Sequence, residues 1–195
     1  MIKLRIDVDY PFPSRLRSFL YVAFGLRTSA EYLKNSKIIA RMINESPEDI
    51  EAHWFFTPKT VPDAQLLALL NNEKHAVELH VVNDPNKEME NLEKATGRRA
   101  NYYTIHGTAR LLARIMWKRW KSREPEIPKN FRLKSFHQFP TRGLDGICYR
   151  HTTEEAVTIA RNYIAKGYAL YFHPIWLYQK GTINQRSAFY QALKT

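Results

Sequence analysis

The sequence has one cysteine among its 195 residues, Cys148, which excludes an intramolecular disulfide and is typical of a protein from a reducing compartment. It has no apolar run near the ~18–20 residues that a helix needs to span a bilayer. The first ten residues, MIKLRIDVDY, carry charges where a signal peptide has its apolar segment. Together these absences predict a soluble, cytoplasmic protein without a transmembrane segment.

Acidic residues are also in the minority, because 19 Asp and Glu stand against 30 Lys and Arg, for a formal net charge of +11. A positive field of this kind attracts nucleic acid, acidic glycans, phosphorylated substrates or anionic lipid head groups. The densest basic run, RIMWKRWKSR at 114–123, interleaves two tryptophans with cations. It is typical of a helix that binds nucleic acid or a membrane surface, or of a helix whose tryptophans face the core while its cations are solvated. The second interpretation is preferred.

Apolar runs of strand length alternate with stretches of helical periodicity, which predicts a single α/β domain over 1–195 with a mainly parallel sheet, open or closed into a barrel. The predicted strands are 2–8, 51–58, 75–82, 100–107, 129–136 and 168–174, and 143–151 is predicted as a short strand or loop. The predicted helices are 14–26, 29–44, 61–73, 85–97, 108–120 and 153–167, with a short final helix in 187–195.

Polar side chains lie near the carboxyl ends of several predicted strands. In a parallel sheet or barrel these ends meet on one face, where ligands bind. Carboxylates and imidazoles there would supply ligands for a divalent metal, most simply Zn²⁺, and leave an acid and a base for catalysis. The residues concerned are Asp7, Asp9, His80, His106, Asp145 and His173. The other histidines have no comparable placement and are interpreted as surface or structural residues: His53, His75, His137 and His151.

Several segments resemble the polysaccharide deacetylases of the NodB-homology (carbohydrate esterase family 4-like) superfamily. RIDVDY is similar to the first motif, in which a strand delivers two aspartates, and AHWFFTPKTVP is similar to the second strand. HAVELHVVND with the later KATG resembles the second motif and the segment that follows it. YYTIHGTA stands in the place of the third motif, and ALYFHPIWL in that of the terminal Leu-x-His motif. The resemblance covers most of the chain and implies a distorted (β/α)₇ barrel.

The resemblance also implies an activity, that of a metal-dependent hydrolase acting on an N-acyl or O-acyl group of a carbohydrate or similar small amide. The positive charge of the chain is compatible with an anionic substrate. Asp7 matches the general base, and His173 matches the histidine that gives a proton to the leaving amine. Asp9 and His80 match metal ligands, with Zn²⁺ as the expected ion and Co²⁺ or Mn²⁺ as alternatives.

The sequence departs from the family pattern at two points. The second motif of the family is His-x-x-x-His, but the position four after His80 is Asp84, so either Asp84 or His106 is the candidate for the missing ligand. The usual arginine of the third motif, which orients the base, is also missing, and Arg5 or Arg142 is the candidate to replace it.

Aromatic residues near the predicted site, Tyr10, Tyr103 and Trp176, are candidates for a substrate wall that stacks on a sugar ring. The departures leave an alternative function open: a non-catalytic barrel of the same fold that binds an acidic glycan or nucleic acid through its basic surface. A third interpretation is a metal-independent enzyme that uses Asp7 and His173 as acid and base on a carbohydrate.

Overall fold

The computed structural model describes residues 1–8, 31–106, 125–174 and 191. These residues form seven strands: β1 (Ile2–Val8), β2 (Ile50–Phe56), β3 (His75–Val81), β4 (Tyr102–Ile105), β5 (Lys134–Ser135), β6 (Thr141–Gly143) and β7 (Ala169–Phe172). They also form five α-helices: α1 (Glu31–Glu45), α2 (Ala64–Leu69), α3 (Pro85–Thr96), α4 (Leu144–Arg150) and α5 (Thr153–Ala165). A 3₁₀ turn covers Phe136–Gln138. Within these ranges, no helix has the length and apolar character that crossing a membrane requires.

The seven strands form one sheet in the order β5-β4-β3-β2-β1-β7-β6, and every neighbouring pair is parallel. If the sheet were flat, its two edge strands would be about 29 Å apart, at about 4.8 Å for each spacing. The chain between the end of β5 and the start of β6 can span at most about 21 Å even when fully extended. The sheet therefore curls into a half-barrel, and the predicted α/β fold with a distorted barrel is confirmed.

The two faces of the sheet have different compositions because side chains alternate along each strand. On β1 the even-numbered residues Leu4 and Ile6 are fully buried in the main apolar core, which also takes in residues of the helices. The odd-numbered residues Lys3, Arg5 and Asp7 lie on the concave face. The convex face is thus apolar under its helices, and the concave face carries most of the buried charge.

Phe136 fills the concave side of the half-barrel. Its ring lies 4.9 Å from the His53 ring, 5.1 Å from that of Phe55 and 5.7 Å from that of Tyr102, measured between centroids. The chain crosses here from β5 to β6, so one short segment packs against β2 and β4 at once. This aromatic cluster packs on the concave face and includes Phe55, the register partner of Asp7.

Most predicted elements agree with the structure to within a few residues. The first strand is confirmed at 2–8, and the helix predicted at 85–97 ends at Gly97, whose φ of 66° is left-handed. Thr152 caps α5 in a reciprocal capping box with Glu155.

Two strand predictions need correction. The segment 143–151, predicted as a short strand or loop, contains the helix α4, because Leu144 and Cys148 are four residues apart and both bury their side chains. The strand predicted at 129–136 covers two residues only, and β6 was not predicted. The helices predicted at 14–26, 108–120 and 187–195 lie outside the described residues, apart from Gln191.

His75 is a buried structural histidine at the start of β3. Its Nδ1 accepts a hydrogen bond from the Trp54 indole at 2.9 Å, and its Nε2 lies 2.9 Å from Oδ1 of Asn44. A neutral ring protonated on Nε2 satisfies both contacts. Burial, together with the charges of Arg98 and Lys74, lowers the pKa of His75 from 6.5 to about 4.

We expect His75 to make the protein sensitive to acid. Between about pH 6.5 and pH 4 the unfolded chain binds a proton at this residue that the folded chain does not bind. The free energy of unfolding should therefore fall by at most about 3 kcal/mol as the pH is lowered through this window, and the contribution is fully present above it. Urea unfolding at a series of pH values should show a smaller fall in His75→Gln. The exposed His151→Gln is the control, and an equal fall in both variants would contradict the assignment.

Candidate active site at the carboxyl ends of the strands

Asp7 and His173 are neighbours at the carboxyl end of the sheet. Ile6 of β1 is the register partner of Phe172 of β7, so the next residue on each strand, Asp7 and His173, follows side by side. Burial raises the pKa of both Asp145 and Tyr171, and the charge of Asp7 adds to the rise. The structure thus brings Asp7, Asp145 and His173 together from the two ends of the chain.

Asp7 is held by a bidentate ion pair with Arg5. Nε of Arg5 donates to Oδ1 of Asp7 at 2.9 Å, and a terminal nitrogen donates to Oδ2 at 2.6 Å. Both side chains are buried, and the guanidinium carbon lies 5.8 Å from the Phe55 ring centre and 5.5 Å from that of Tyr171. The pair fixes the orientation of the carboxylate, because two N–H groups in one rigid plane can donate to both of its oxygens in only one arrangement.

Arg142, the other candidate for orienting the base, lies elsewhere. It stands on β6 with its side chain exposed, its guanidinium carbon 4.4 Å from the Tyr168 ring centre and 5.5 Å from that of Tyr163. Of the two arginines considered from the sequence, it is Arg5 that contacts Asp7.

His173 and Asp145 form the second fixed pair. Nδ1 of His173 lies 2.6 Å from Oδ2 of Asp145, and the backbone N–H of His173 donates to the same oxygen at 3.1 Å. Burial raises the pKa of the Asp145 carboxyl, the hydrogen bond and charge of His173 oppose this rise, and the charge of Asp7 adds to it. A neutral His173 that donates from Nδ1 carries its lone pair on Nε2, the nitrogen suited to exchange protons with a substrate.

His80 and His106 lie at the ends of β3 and β4. Nε2 of His80 is 3.2 Å from Nδ1 of His106, and the rings meet edge to face with an interplanar angle of 81°. Nδ1 of His80 is 2.6 Å from Oγ1 of Thr104, its register partner on β4. His80 and Thr104 are buried, so this hydrogen bond has no competition from bulk water.

Asp84 occupies a different environment from the one that its sequence position suggests. It is exposed and forms the N-cap of α3, where its carboxylate accepts the N–H of Lys87 at 3.2 Å. The buried carboxylate of Glu88 accepts the N–H groups of Val82 and Asn83 at 2.8 and 2.9 Å and shapes the loop before the helix. The Asp84 carboxylate therefore contacts the first turn of α3 and not His80.

The remaining predicted site residues fall into two groups. Asp9, Tyr10 and Trp176, and with them the basic run 114–123, lie outside the described residues. Tyr103 lies on the convex face, where its ring packs 5.4 Å from that of Phe131 beside the main core. Side chains alternate along β4, and Thr104, the next residue, faces the interior, so Tyr103 faces the opposite side. This placement does not suit Tyr103 as a substrate wall.

Two histidines on the concave side were not predicted as site residues. His137, on the 3₁₀ turn, is exposed, and its partial desolvation and the charge of Arg5 lower its pKa, with Asp7 opposing and His80 adding to the shift. His53 is buried between the carboxylates of Glu78 and Glu51, at 3.1 and 2.8 Å, in agreement with a structural role.

Thr60 anchors the carboxyl end of β1. Its hydroxyl donates to the carbonyl of Val8, the residue after Asp7, and accepts the N–H of Thr57 at 3.0 Å. The hydroxyls of Thr57 and Thr60 also lie 2.9 Å apart, and both side chains are buried. The loop after β2 thus fixes where β1 ends, and with it the backbone that carries Asp7.

The donor set suits a divalent metal only in part. Within the described ranges, no group of three His, Cys, Asp or Glu side chains is arranged to hold a metal ion. The two imidazole nitrogens of His80 and His106 are nevertheless close to the spacing of two ligands on one Zn²⁺, which is about 3.4 Å in a tetrahedral site. The described residues therefore fit two corners of such a site, and the predicted ligand Asp9 lies outside them.

No family model matches the sequence, and no curated protein matches it. Among solved structures, the wild-type CE4 family pseudoenzyme BA3943 from Bacillus anthracis matches with a TM-score of 0.50 and 12% identity, over 97% of this chain and 58% of that chain. A mutant of the same pseudoenzyme, described as having restored enzymatic activity, matches with a TM-score of 0.49 and 12% identity, over 97% and 60%. The chain thus spans about three-fifths of the length of these structures.

The wild-type match and the parallel sheet order show the fold. The chain shares the distorted α/β half-barrel fold of that CE4 family pseudoenzyme. A likeness at 12% identity carries the architecture alone, so the chemistry has to be argued from this chain's own residues.

The anchoring role of Thr60 predicts a difference between two substitutions. Thr60→Val keeps the shape but removes the hydroxyl partner of the Val8 carbonyl and the Thr57 N–H, which should cost about 2–3 kcal/mol of unfolding free energy. Thr60→Ser keeps the hydroxyl and should cost about 1 kcal/mol for the lost methyl. Urea unfolding measures both variants, and equal losses would show that the hydroxyl does not anchor β1.

Proposed function

We propose that the chain is a metal-dependent hydrolase that removes an N-acyl or O-acyl group from a carbohydrate or similar small amide. The observation that carries the proposal is the placement of Asp7 and His173 side by side at the ends of β1 and β7, each with its own charged partner. A base and an acid on one side of a shared space are what acyl hydrolysis requires, since the attacking water loses a proton and the leaving group gains one.

The partners suit the two residues to opposite tasks. Both oxygens of Asp7 accept hydrogen bonds from Arg5, so the carboxylate is fixed as an acceptor, which suits it to the role of a base. His173 is hydrogen-bonded to the Asp145 carboxylate, which stabilises the imidazolium form and therefore an acid. Two titratable groups whose surroundings favour opposite charges are the usual sign of an acid–base pair.

The mechanism assigns each proton to a named atom. Asp7 takes a proton from the water whose oxygen bonds to the acyl carbon. Nε2 of His173 then gives a proton to the nitrogen, or to the oxygen of an ester, as its bond to the acyl carbon breaks. The products are a carboxylic acid and an amine or alcohol. At this point Asp7 holds one extra proton and His173 lacks one, and the transfer of that proton restores both residues.

A divalent metal, Zn²⁺ or alternatively Co²⁺ or Mn²⁺, would be held by Asp9 and His80 and would supply a lowered pKa for the bound water and a polarised acyl carbonyl. The net charge of +11 supports an anionic substrate, because it raises the local concentration of negative ligands. Tyr171 supports a sugar, since its ring lies 6.1 Å from that of His173 and 5.5 Å from the Arg5 guanidinium.

The proposal predicts that Asp7→Asn and His173→Ala each lower the rate of acetate release by about 10²–10⁴-fold, the usual contribution of a general acid or base. The measurement uses protein loaded with Zn²⁺, Co²⁺ or Mn²⁺, with N-acetylglucosamine oligomers and an O-acetylated sugar as substrates. His151→Ala, at an exposed histidine paired with Glu155, should keep the full rate.

Circular dichroism should show that each variant keeps the wild-type fold, so that a lost rate reports on chemistry. Wild-type rates in both proton-transfer variants would contradict the assignment of acid and base. A metal-loaded wild type that releases no acetate but binds an acidic glycan, with an affinity that falls steeply with salt, would favour the non-catalytic alternative.

A further inference from the structure

We propose that His80 and His106 form a two-imidazole chelate for the divalent metal and that Asp84 is not a ligand. This inference rests on the proposed function, because it specifies how the metal of that site is held. It places the second imidazole on the neighbouring strand β4 and not in the turn after β3, where the spacing of the family motif would put it.

The distance between the two rings supports the chelate. Nε2 of His80 and Nδ1 of His106 are 3.2 Å apart. Two nitrogens bound to one tetrahedral Zn²⁺ at about 2.0–2.1 Å each are separated by about 3.4 Å. The spacing of the pair is therefore within a few tenths of an ångström of that of two ligands on one ion, and a bound metal would take the place of the proton in the hydrogen bond between the two nitrogens.

Thr104 holds His80 in the orientation that a ligand requires. Metal-bound histidines usually engage their second ring nitrogen in a hydrogen bond, which fixes the ring and its tautomer. Here Nδ1 of His80 lies 2.6 Å from the Thr104 hydroxyl, and the two residues are register partners on β3 and β4. His80 is 2% exposed and Thr104 is fully buried, so the ring is fixed before any metal binds.

Backbone geometry places the second ring on the same face. Side chains two residues apart on a strand point the same way, and His106 is two residues beyond Thr104. The N–H of His106 donates to the carbonyl of Val81, the residue after His80, at 2.9 Å. The parallel pairing of β3 and β4 thus extends to the point where both imidazoles meet.

Asp84 is committed to another role. Its carboxylate caps α3 by accepting the N–H of Lys87, and its own N–H points to Glu88 at 3.4 Å. Turning the carboxylate toward His80 would leave the first turn of α3 without its cap, which typically costs about 1 kcal/mol.

The test is a titration with Co²⁺ or Zn²⁺ alone, followed by calorimetry and by the visible absorption of bound Co²⁺. His80→Ala and His106→Ala should each raise Kd more than about 100-fold, beyond the loss seen for residues that only support a ligand. Asp84→Ser removes the carboxylate but keeps a capping hydroxyl, and its Kd should stay within about threefold of wild type, as for His151→Ala. Thr104→Val should raise Kd about 10–100-fold, and Thr104→Ser much less.

Each outcome decides the inference. Loss of metal in Asp84→Ser with retention in His106→Ala would overturn it and leave the hydrolase proposal standing. Absence of stoichiometric metal in the wild type would overturn both. Metal bound as expected without acetate release would support the chelate and reject the hydrolase. If His106→Ala does not fold, as judged by circular dichroism, His106→Gln replaces it with the same expected loss.

Discussion

The arrangement of the site depends on the ion pair between Arg5 and Asp7 at the centre of the half-barrel. Taking two charges out of water costs several kcal/mol for each ion, so a buried pair is seldom more stable than apolar side chains of equal volume. The interior strand β1 nevertheless keeps both residues buried on its concave face. Stability alone does not explain such a pair, whereas the role of base that we propose for Asp7 does, because that role requires a carboxylate held in one orientation. The apolar convex face supplies the burial that offsets its cost.

The fold was largely predictable because parallel strands covered by helices leave a strong record in the sequence. The apolar even-numbered residues of β1 and the capping residues Thr152 and Gly97 act locally, and the strand and helices to which they belong lie close to the predicted ranges. The failures occurred where long-range packing decides. Residues 144–150 are too few to show a clear helical period. The two-residue β5 is defined by its pairing with β4 at the edge of the sheet, which a local pattern does not indicate.

The candidate site was predictable only in part, for a related reason. Four site residues were predicted from their places at the carboxyl ends of predicted strands, because chain direction alone sets which end of a parallel strand faces the site: Asp7, His80, His106 and His173. The contacts that orient them depend on register and on segments distant in sequence. Thr60 reaches Val8 across 52 residues, and Thr104 meets His80 across 24. His137 comes near the site because the chain crosses the concave face, and no local pattern in the sequence indicates that crossing.

The two halves of the site differ in the structural elements on which their contacts depend. Arg5 and Asp7 lie on one strand at a spacing of two, so their contact needs no other element to be in register. The imidazole pair depends instead on the β3–β4 pairing, where a histidine placed two residues after Thr104 falls beside His80 by geometry alone. The turn after β3 is already occupied by the Asp84 cap and the Glu88 contacts. The chelate that we propose therefore depends on the β3–β4 pairing and not on the turn, whose polar side chains serve the start of α3.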